Sequence, residues 1–391
     1  MRPFLSFCCA LGILTTTLSS TRAAELAKPV AQPPLLQIAL LLDTSNSMDG
    51  LISQAKTQLW KIVNELALAR RNGLPPQLRV ALYEYGNNRL LAEHGFVRQV
   101  IPLTDDLDRV SDELFRLTTS GGQEYCGRVI LDATTQLEWS DDADYKAIII
   151  AGNEPFTQGD VDYKNACAEA ITRGILVNTV FCGPSPDGVV GGWKDGALLS
   201  DGSYMNIDQN EALVHIAAPQ DDAIARLGVA LNSTYLAYGA VGLARQELQV
   251  LQDSNAIEAQ NGAAVQRATC KVSPLYKNAV WDLVDALEDG TVKLEAIKKE
   301  DLPKELQALS IEKRQALIAQ KKTERARLKK EIQSLAAERD KFVAGEREKH
   351  RAAGAAETFD TALIRTLREQ CSTKNLQFPE PTVELENDPG H

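Results

Sequence analysis

The sequence predicts a doubly wound α/β domain with a mostly parallel sheet, followed by an all-α region in the form of a coiled coil or helical hairpin. Short, nearly continuous apolar runs, the pattern of strands buried on both faces of a parallel sheet, alternate with amphipathic segments up to about residue 215. Beyond that the strand-like runs stop, and residues 298–350 carry fifteen Lys or Arg and ten Asp or Glu around a thin apolar seam. A chain of 391 residues with 44% hydrophobic content is long enough for a full core and an appendage.

The α/β part is expected to span 36–215. QIALLL (37–42) is the first buried strand, and Leu51, Ile52, Ala55, Leu59, Ile62, Val63 and Leu66 follow it at helical spacing. LRVALYEYG (78–86) and FVRQVIPL (96–103) read as strands, 105–118 and 125–139 as helices, and YKAIIIAG (145–152) as another buried strand. Residues 161–174 form a helix ended by Gly174, and VNTVFCG (177–183) is the next strand. The Gly, Pro and Asp in 184–203 predict a long surface loop before a last short strand, YMNID. Such sheets bind ligands beyond the carboxyl ends of their strands, so that edge is where a site is expected.

A helical connector is expected over 216–265 and a helical hairpin or coiled coil over 266–378, built from helices at 274–289, 298–350 and 357–371. Val280, Trp281, Val284 and Leu287 share one face of the first. The seam of the long helix lapses between Gln320 and Arg327, which predicts a solvated shaft there. Its excess of five positive charges is read as a solvated face, and the seam makes it the candidate surface for homo-oligomer formation. Residues 379–391 are acidic and Pro-containing, the composition of a disordered tail.

Arg2, the apolar stretch from Phe4 to Leu14 and the small pair Ala23-Ala24 match a cleaved secretory signal over 1–24, with a Pro-rich linker over 25–35. That predicts a periplasmic or secreted protein. A net charge of −11 argues against nucleic acid as a partner. Cys126, Cys167, Cys182, Cys270 and Cys371 remain after the signal, and in an oxidising compartment they are expected to pair. Cys270 with Cys371 would tie the ends of the helical region. Either Cys167 or Cys126 would pair with Cys182. The four histidines are scattered and no phosphate-binding loop or zinc spacing appears, so the chain is read as non-enzymatic, with no small-molecule substrate.

The segment Asp43-Thr-Ser-Asn-Ser47 lies immediately beyond the first buried strand. A carboxylate and two hydroxyls on a tight loop suit a hard divalent cation, Mg²⁺ first, with Mn²⁺ and Ca²⁺ as alternatives. Here the chain resembles the von Willebrand factor A family, whose metal-ion-dependent adhesion site uses an Asp-x-Ser-x-Ser loop in this place. The resemblance implies two further ligand loops, a Thr after a Gly-Gly turn and an Asp after the fourth strand, and both depart here. Gln123 and Glu124 follow Gly121-Gly122, and Asn153 stands in the Asp position with Glu154 beside it. The expected ligands are therefore Asp43, Ser45, Ser47, Glu124 and Asn153, with Gln123, Glu154 and Thr119 as further candidates. The substitutions leave two readings open, a site that still binds metal and a vestigial one that binds partners without it. The resemblance also implies a protein partner whose acidic side chain bridges the metal.

Overall fold

The computed structural model describes residues 32–207, 215–260, 262–352 and 358–379, without the side chains of Asp49 and Leu51. The expected signal at 1–24, most of the 25–35 linker and the acidic tail from 380 onward lie outside the described residues. The chain divides into two units at residue 33, and every element below belongs to Pro33–His391.

The six strands are β1 (Leu35–Asp43), β2 (Gln77–Tyr85), β3 (Val97–Thr104), β4 (Tyr145–Gly152), β5 (Leu176–Cys182) and β6 (Tyr204–Ile207). They form one sheet in the order β3-β2-β1-β4-β5-β6, parallel except for β3, which pairs antiparallel with β2. Strand side chains alternate between faces, and the core follows suit. Leu36, Ile38, Leu40 and Leu42 of β1 and Ala147, Ile149 and Ala151 of β4 face one layer, while Ala39, Leu41, Ile148 and Ile150 face the other.

The helices are α1 (Asp49–Ala67), α2 (Leu107–Arg116), α3 (Cys126–Gln136), α4 (Tyr163–Thr172), α5 (Ser185–Val190), α6 (Trp193–Leu199), α7 (Asp221–Ala230), α8 (Gly242–Glu258), α9 (Ala263–Val272), α10 (Leu283–Glu288), α11 (Lys304–Gln307), α12 (Ile311–Ala352) and α13 (Phe359–Thr373). α3, α4 and α6 cover one face of the sheet. α1 and α2 lie on the other, and the C-terminal helices add a further layer over them. Val265, Leu328, Ile332, Leu363 and Leu367 share one continuous core with Leu36 and Trp60. The helical region is thus folded back on the sheet domain. α12 packs on α7 and α9, and α13 on β6 and α1.

Several local expectations are corrected. Residues 184–203 are not a surface loop: Pro184 opens α5, Gly191-Gly192 breaks the chain, and Trp193 opens α6 fully buried against Phe156 and Phe181. The helix expected over 274–289 is confined to Leu283–Glu288, because the Asp282 carboxylate accepts the backbone N–H of Asp285 and sets the start there. Val280 is left exposed, away from its expected neighbours. The long helix begins at Ile311 rather than 298: Pro303 disfavours helix at Leu302, and the short α11 ends at Gln307 before Ser310 leads into α12.

Nor is the middle of α12 solvated. Arg325, inside the lapse of the apolar seam, is buried, donates from Nη1 to Asp282 and Asp285 at 2.6 Å each, and stacks on the Tyr235 ring. The seam itself (Ile318, Arg325, Ile332 and Arg339 at seven-residue steps, with Leu328, Ala336 and Val343) is taken up within the chain.

The expected disulfides do not form among the described residues, where Cys126, Cys167, Cys182, Cys270 and Cys371 are all buried. Cys126 and Cys167 belong to one face of the sheet and Cys182 to the other, so neither pairing with Cys182 can close across the strands. Cys270 on α9 and Cys371 on α13 share a core, and both helices pack on α1, but no bridge joins them. Among the described residues no helix is long and apolar enough to cross a membrane.

Candidate metal centre

Three loops at the carboxyl edge of the sheet bring the expected ligands together. Asp43 is the last residue of β1, registered against Tyr85 of β2, and Asn153 directly follows β4. The backbone turns sharply after Asp43: Ser45 N donates to Asp43 Oδ1 at 2.7 Å, and Met48 N to Ser45 O at 3.1 Å. This turn places the Ser45 and Ser47 hydroxyls 3.0 Å apart, and Ser47 Oγ donates to Asn153 Oδ1 at 3.3 Å. Ser45 is buried and Ser47 exposed, so the cluster opens to solvent on the Ser47 side.

Glu124 enters from the loop between α2 and α3. Backbone bonds hold that loop against the others, Asn88 N to Gly121 O and Ser120 N to Thr44 O, both 2.9 Å. Gln158 Oε1 accepts the Glu124 backbone N–H at 3.2 Å. The approach depends on glycine. A Cβ at Gly86, whose φ is +78°, would lie 2.6 Å from Asp43 Oδ1 and 2.7 Å from Glu124 Cγ, and one at Gly122 would lie 2.3 Å from Gly86 O.

The electrostatics are those of a site short of positive charge. Asp43 is fully buried and Glu124 is 5% exposed. Burial lifts the Asp43 carboxyl to about 7, against the Ser45 hydrogen bonds and with added repulsion from Glu154. Burial first, then Asp43 and Glu154, raise Glu124 to about 8. One oxygen of each, Asp43 Oδ2 and Glu124 Oε2, is buried without a hydrogen-bond partner. A buried acceptor left unpaired is costly, and a cation is the partner that would serve both. The donors present are two carboxylates, two hydroxyls and an amide oxygen, which fit a hard, oxygen-seeking cation. Among the described residues no group of three His, Cys, Asp or Glu is placed to hold a metal ion by itself, so any metal here relies on the neutral oxygens as well.

The remaining candidates take other places. Gln123 is exposed and its Oε1 accepts from the Tyr125 hydroxyl. Glu154 is half-buried, held by Gln158 Nε2 at 3.3 Å, and acts on Asp43 and Glu124 through its charge. Thr119 is half-buried on the Glu124 loop, two residues before Gly121. Sequence reasoning missed the braces. Trp193 Nε1 donates to Glu154 O at 2.8 Å, and the buried Tyr85 hydroxyl donates to Ala151 O at 2.9 Å, fixing the end of β4. A Gly directly after a strand, as in Tyr85-Gly86, was the one available signal for the cradle.

Residues 37–220 match the family model of the von Willebrand factor type A domain. Solved structures similar to this chain include BatB from Bacteroides thetaiotaomicron, at 18% identity over 44% of this chain and 90% of that one, with a TM-score of 0.35. The von Willebrand factor domain of the type V pili tip protein Mfa5 from Porphyromonas gingivalis matches at 12% identity over 46% and 91%, TM-score 0.34. Proximal thread matrix protein 1 from the mussel byssus, solved with zinc in its adhesion-site motif, matches at 12% identity over 46% of this chain but 43% of its own, TM-score 0.33. No curated protein matches the chain. Likeness at this level says nothing of shared ligands. The sheet order, the loop from Asp43 to Ser47 at its carboxyl edge and the family match agree: residues 37–220 are a von Willebrand factor type A domain.

Proposed function

We propose that this is an exported protein-binding module that grips a protein partner through a divalent cation, Mg²⁺ first, held by Asp43, Ser45, Ser47, Glu124 and Asn153. The observation that carries the reading is the pair of buried, unpartnered carboxylate oxygens, Asp43 Oδ2 and Glu124 Oε2, beside two hydroxyls at the carboxyl edge of the sheet. When bound, the cation would supply a Lewis-acidic contact for an acidic side chain of the partner. The protein's own part is to hold its oxygens on three braced loops and to leave the Ser47 side open. Glu124 supplies the charge that Asn153 lacks. No step of turnover is assigned to these residues, and the helical region serves as a fixed layer against the domain.

Calorimetric titration of the purified chain with Mg²⁺, Mn²⁺ and Ca²⁺ tests the reading. Saturable one-to-one binding that disappears in Asp43→Ala is expected. Absence of binding by all three at millimolar concentration, with partner binding retained in excess chelator, would replace it with a metal-independent scaffold of the cell envelope.

A further inference from the structure

The loop that carries Asn153 is held from outside the metal centre. Trp193, the first residue of α6, is fully buried against Phe156 and Phe181, with ring centroids 4.5 and 5.7 Å away. Its indole N–H donates to Glu154 O at 2.8 Å, and the Phe156 N–H donates to Gly191 O at 2.8 Å, so two bonds tie residues 154–156 to the start of α6. Thr179 Oγ1 fixes the backbone of the indole in turn, donating to Trp193 O at 2.9 Å. The ring also closes on the strand end. A Cβ at Gly152 would lie 3.1 Å from Trp193 Cη2, 2.4 Å from the Tyr85 hydroxyl and 3.2 Å from Asp43 Cβ, so all three meet around the residue that precedes Asn153. Glu154 passes the restraint on. Its carboxylate accepts from Gln158 Nε2 at 3.3 Å, and Gln158 Oε1 accepts the Glu124 backbone N–H at 3.2 Å.

We infer that Trp193 is a positioning residue that sets the metal centre's preference for Mg²⁺ over Ca²⁺. The inference rests on the metal reading above and adds what fixes the size of the ion. Mg²⁺ demands a near-ideal octahedron at about 2.0–2.1 Å, whereas Ca²⁺ accepts roughly six to eight oxygens at about 2.3–2.6 Å in flexible arrangements. Rigid donors therefore favour the small ion and movable ones the larger. Asp43, Ser45 and Ser47 lie on one turn closed by its own hydrogen bonds. Asn153 and Glu124 come from separate loops, and both loops are restrained by the chain of contacts from Trp193 through Glu154 to Gln158. Without the indole bond these two loops are free to draw back by the roughly 0.3–0.5 Å that separates the bond lengths of the two ions. Ca²⁺ then gains on Mg²⁺. Side chains that orient metal ligands from behind, as Trp193 does here, typically account for about 10–100-fold in metal affinity.

Calorimetric titration of the full chain with Mg²⁺ and with Ca²⁺ tests it, in wild type, in Trp193→Phe and in a chain whose Trp193 indole is replaced by its benzothiophene isostere. The isostere keeps the ring and lacks only the N–H, so it carries the test if Trp193→Phe does not fold. Wild type is expected to bind Mg²⁺ more tightly than Ca²⁺. Both variants should bind Mg²⁺ about tenfold more weakly and Ca²⁺ within about threefold of wild type, so the preference for Mg²⁺ falls at least about threefold. A residue that served stability alone would lower the melting temperature and leave the ratio of the two affinities unchanged. An unchanged ratio, or a wild type that prefers Ca²⁺, overturns the inference while leaving the metal site standing. A wild type that binds neither ion removes the metal reading itself, and the inference with it.

Discussion

The Asp43 and Glu124 carboxylates meet over Gly86, so close that a Cβ there would strike Asp43 Oδ1 at 2.6 Å and Glu124 Cγ at 2.7 Å. Two acidic groups from loops 81 residues apart in sequence share one buried space, each with an oxygen lacking a partner. Such a space is unfavourable without a cation and well suited with one.

Asp43→Asn is expected to keep or raise the melting temperature of the metal-free protein, because it removes a buried charge while the amide oxygen still accepts from Ser45 N. The wild-type protein should gain roughly 2.7 kcal/mol from a cation at a hundred times its dissociation constant, and the variant nothing. Thermal unfolding with and without Mn²⁺ measures both, and an undiminished metal shift in the variant would remove Asp43 from the ligand set.

Glu124→Gln separates the two proposed acidic ligands. With Asn153 in place of a carboxylate, Glu124 is the second negative charge of the site, so its neutralisation should weaken metal binding by about tenfold or more, roughly 1.4 kcal/mol. Calorimetry on the variant would read the change directly. An unaltered affinity would mean that the cation, if bound, does not use this loop.

Arg325→Met should destabilise the chain by about 3–5 kcal/mol, because it strands the fully buried Asp282 without its cation. Adding Asp282→Asn should recover part of the loss. Urea unfolding of the single and double variants checks both directions, and a neutral single variant would show that the pair does not anchor α12.

Burial works against the Asp360 carboxylate, but Lys61, Thr358 and Arg347 outweigh it and hold its pKa below the ordinary carboxylate value. A carboxylate held low in the folded state adds stability above its unfolded pKa and loses it as pH falls below that value. Asp360→Asn should therefore be less stable than wild type at pH 7, with the gap closing below about pH 4. Unfolding free energies from pH 3 to 7 give the comparison, and a gap constant with pH would argue against an ionic contribution.

The part of the architecture legible in sequence was the part written in local patterns. Unbroken runs such as Ile148-Ile149-Ile150 need cover on both faces, and that alone predicts a central strand of a doubly wound sheet. The Asp43-x-Ser45-x-Ser47 loop was legible because its candidate ligands come from one turn. Glu124 and Asn153 were placed only through the resemblance, and the folded chain brings Asn153 onto Ser47 and Glu124 beside Asp43. What tertiary structure alone decided was which surfaces face inward. Arg325 reads as a solvated charge until Asp282 and Tyr235, some forty and ninety residues away, are folded around it. Cys182 reads as a bridge partner of Cys126 or Cys167 until the sheet separates them, and α8 reads as a helical connector until Gln249, Gln252 and Asp253 are found buried. Each of these depends on long-range contacts, which carry no local periodicity, so the helix pattern was present in the sequence while the face it would bury was not.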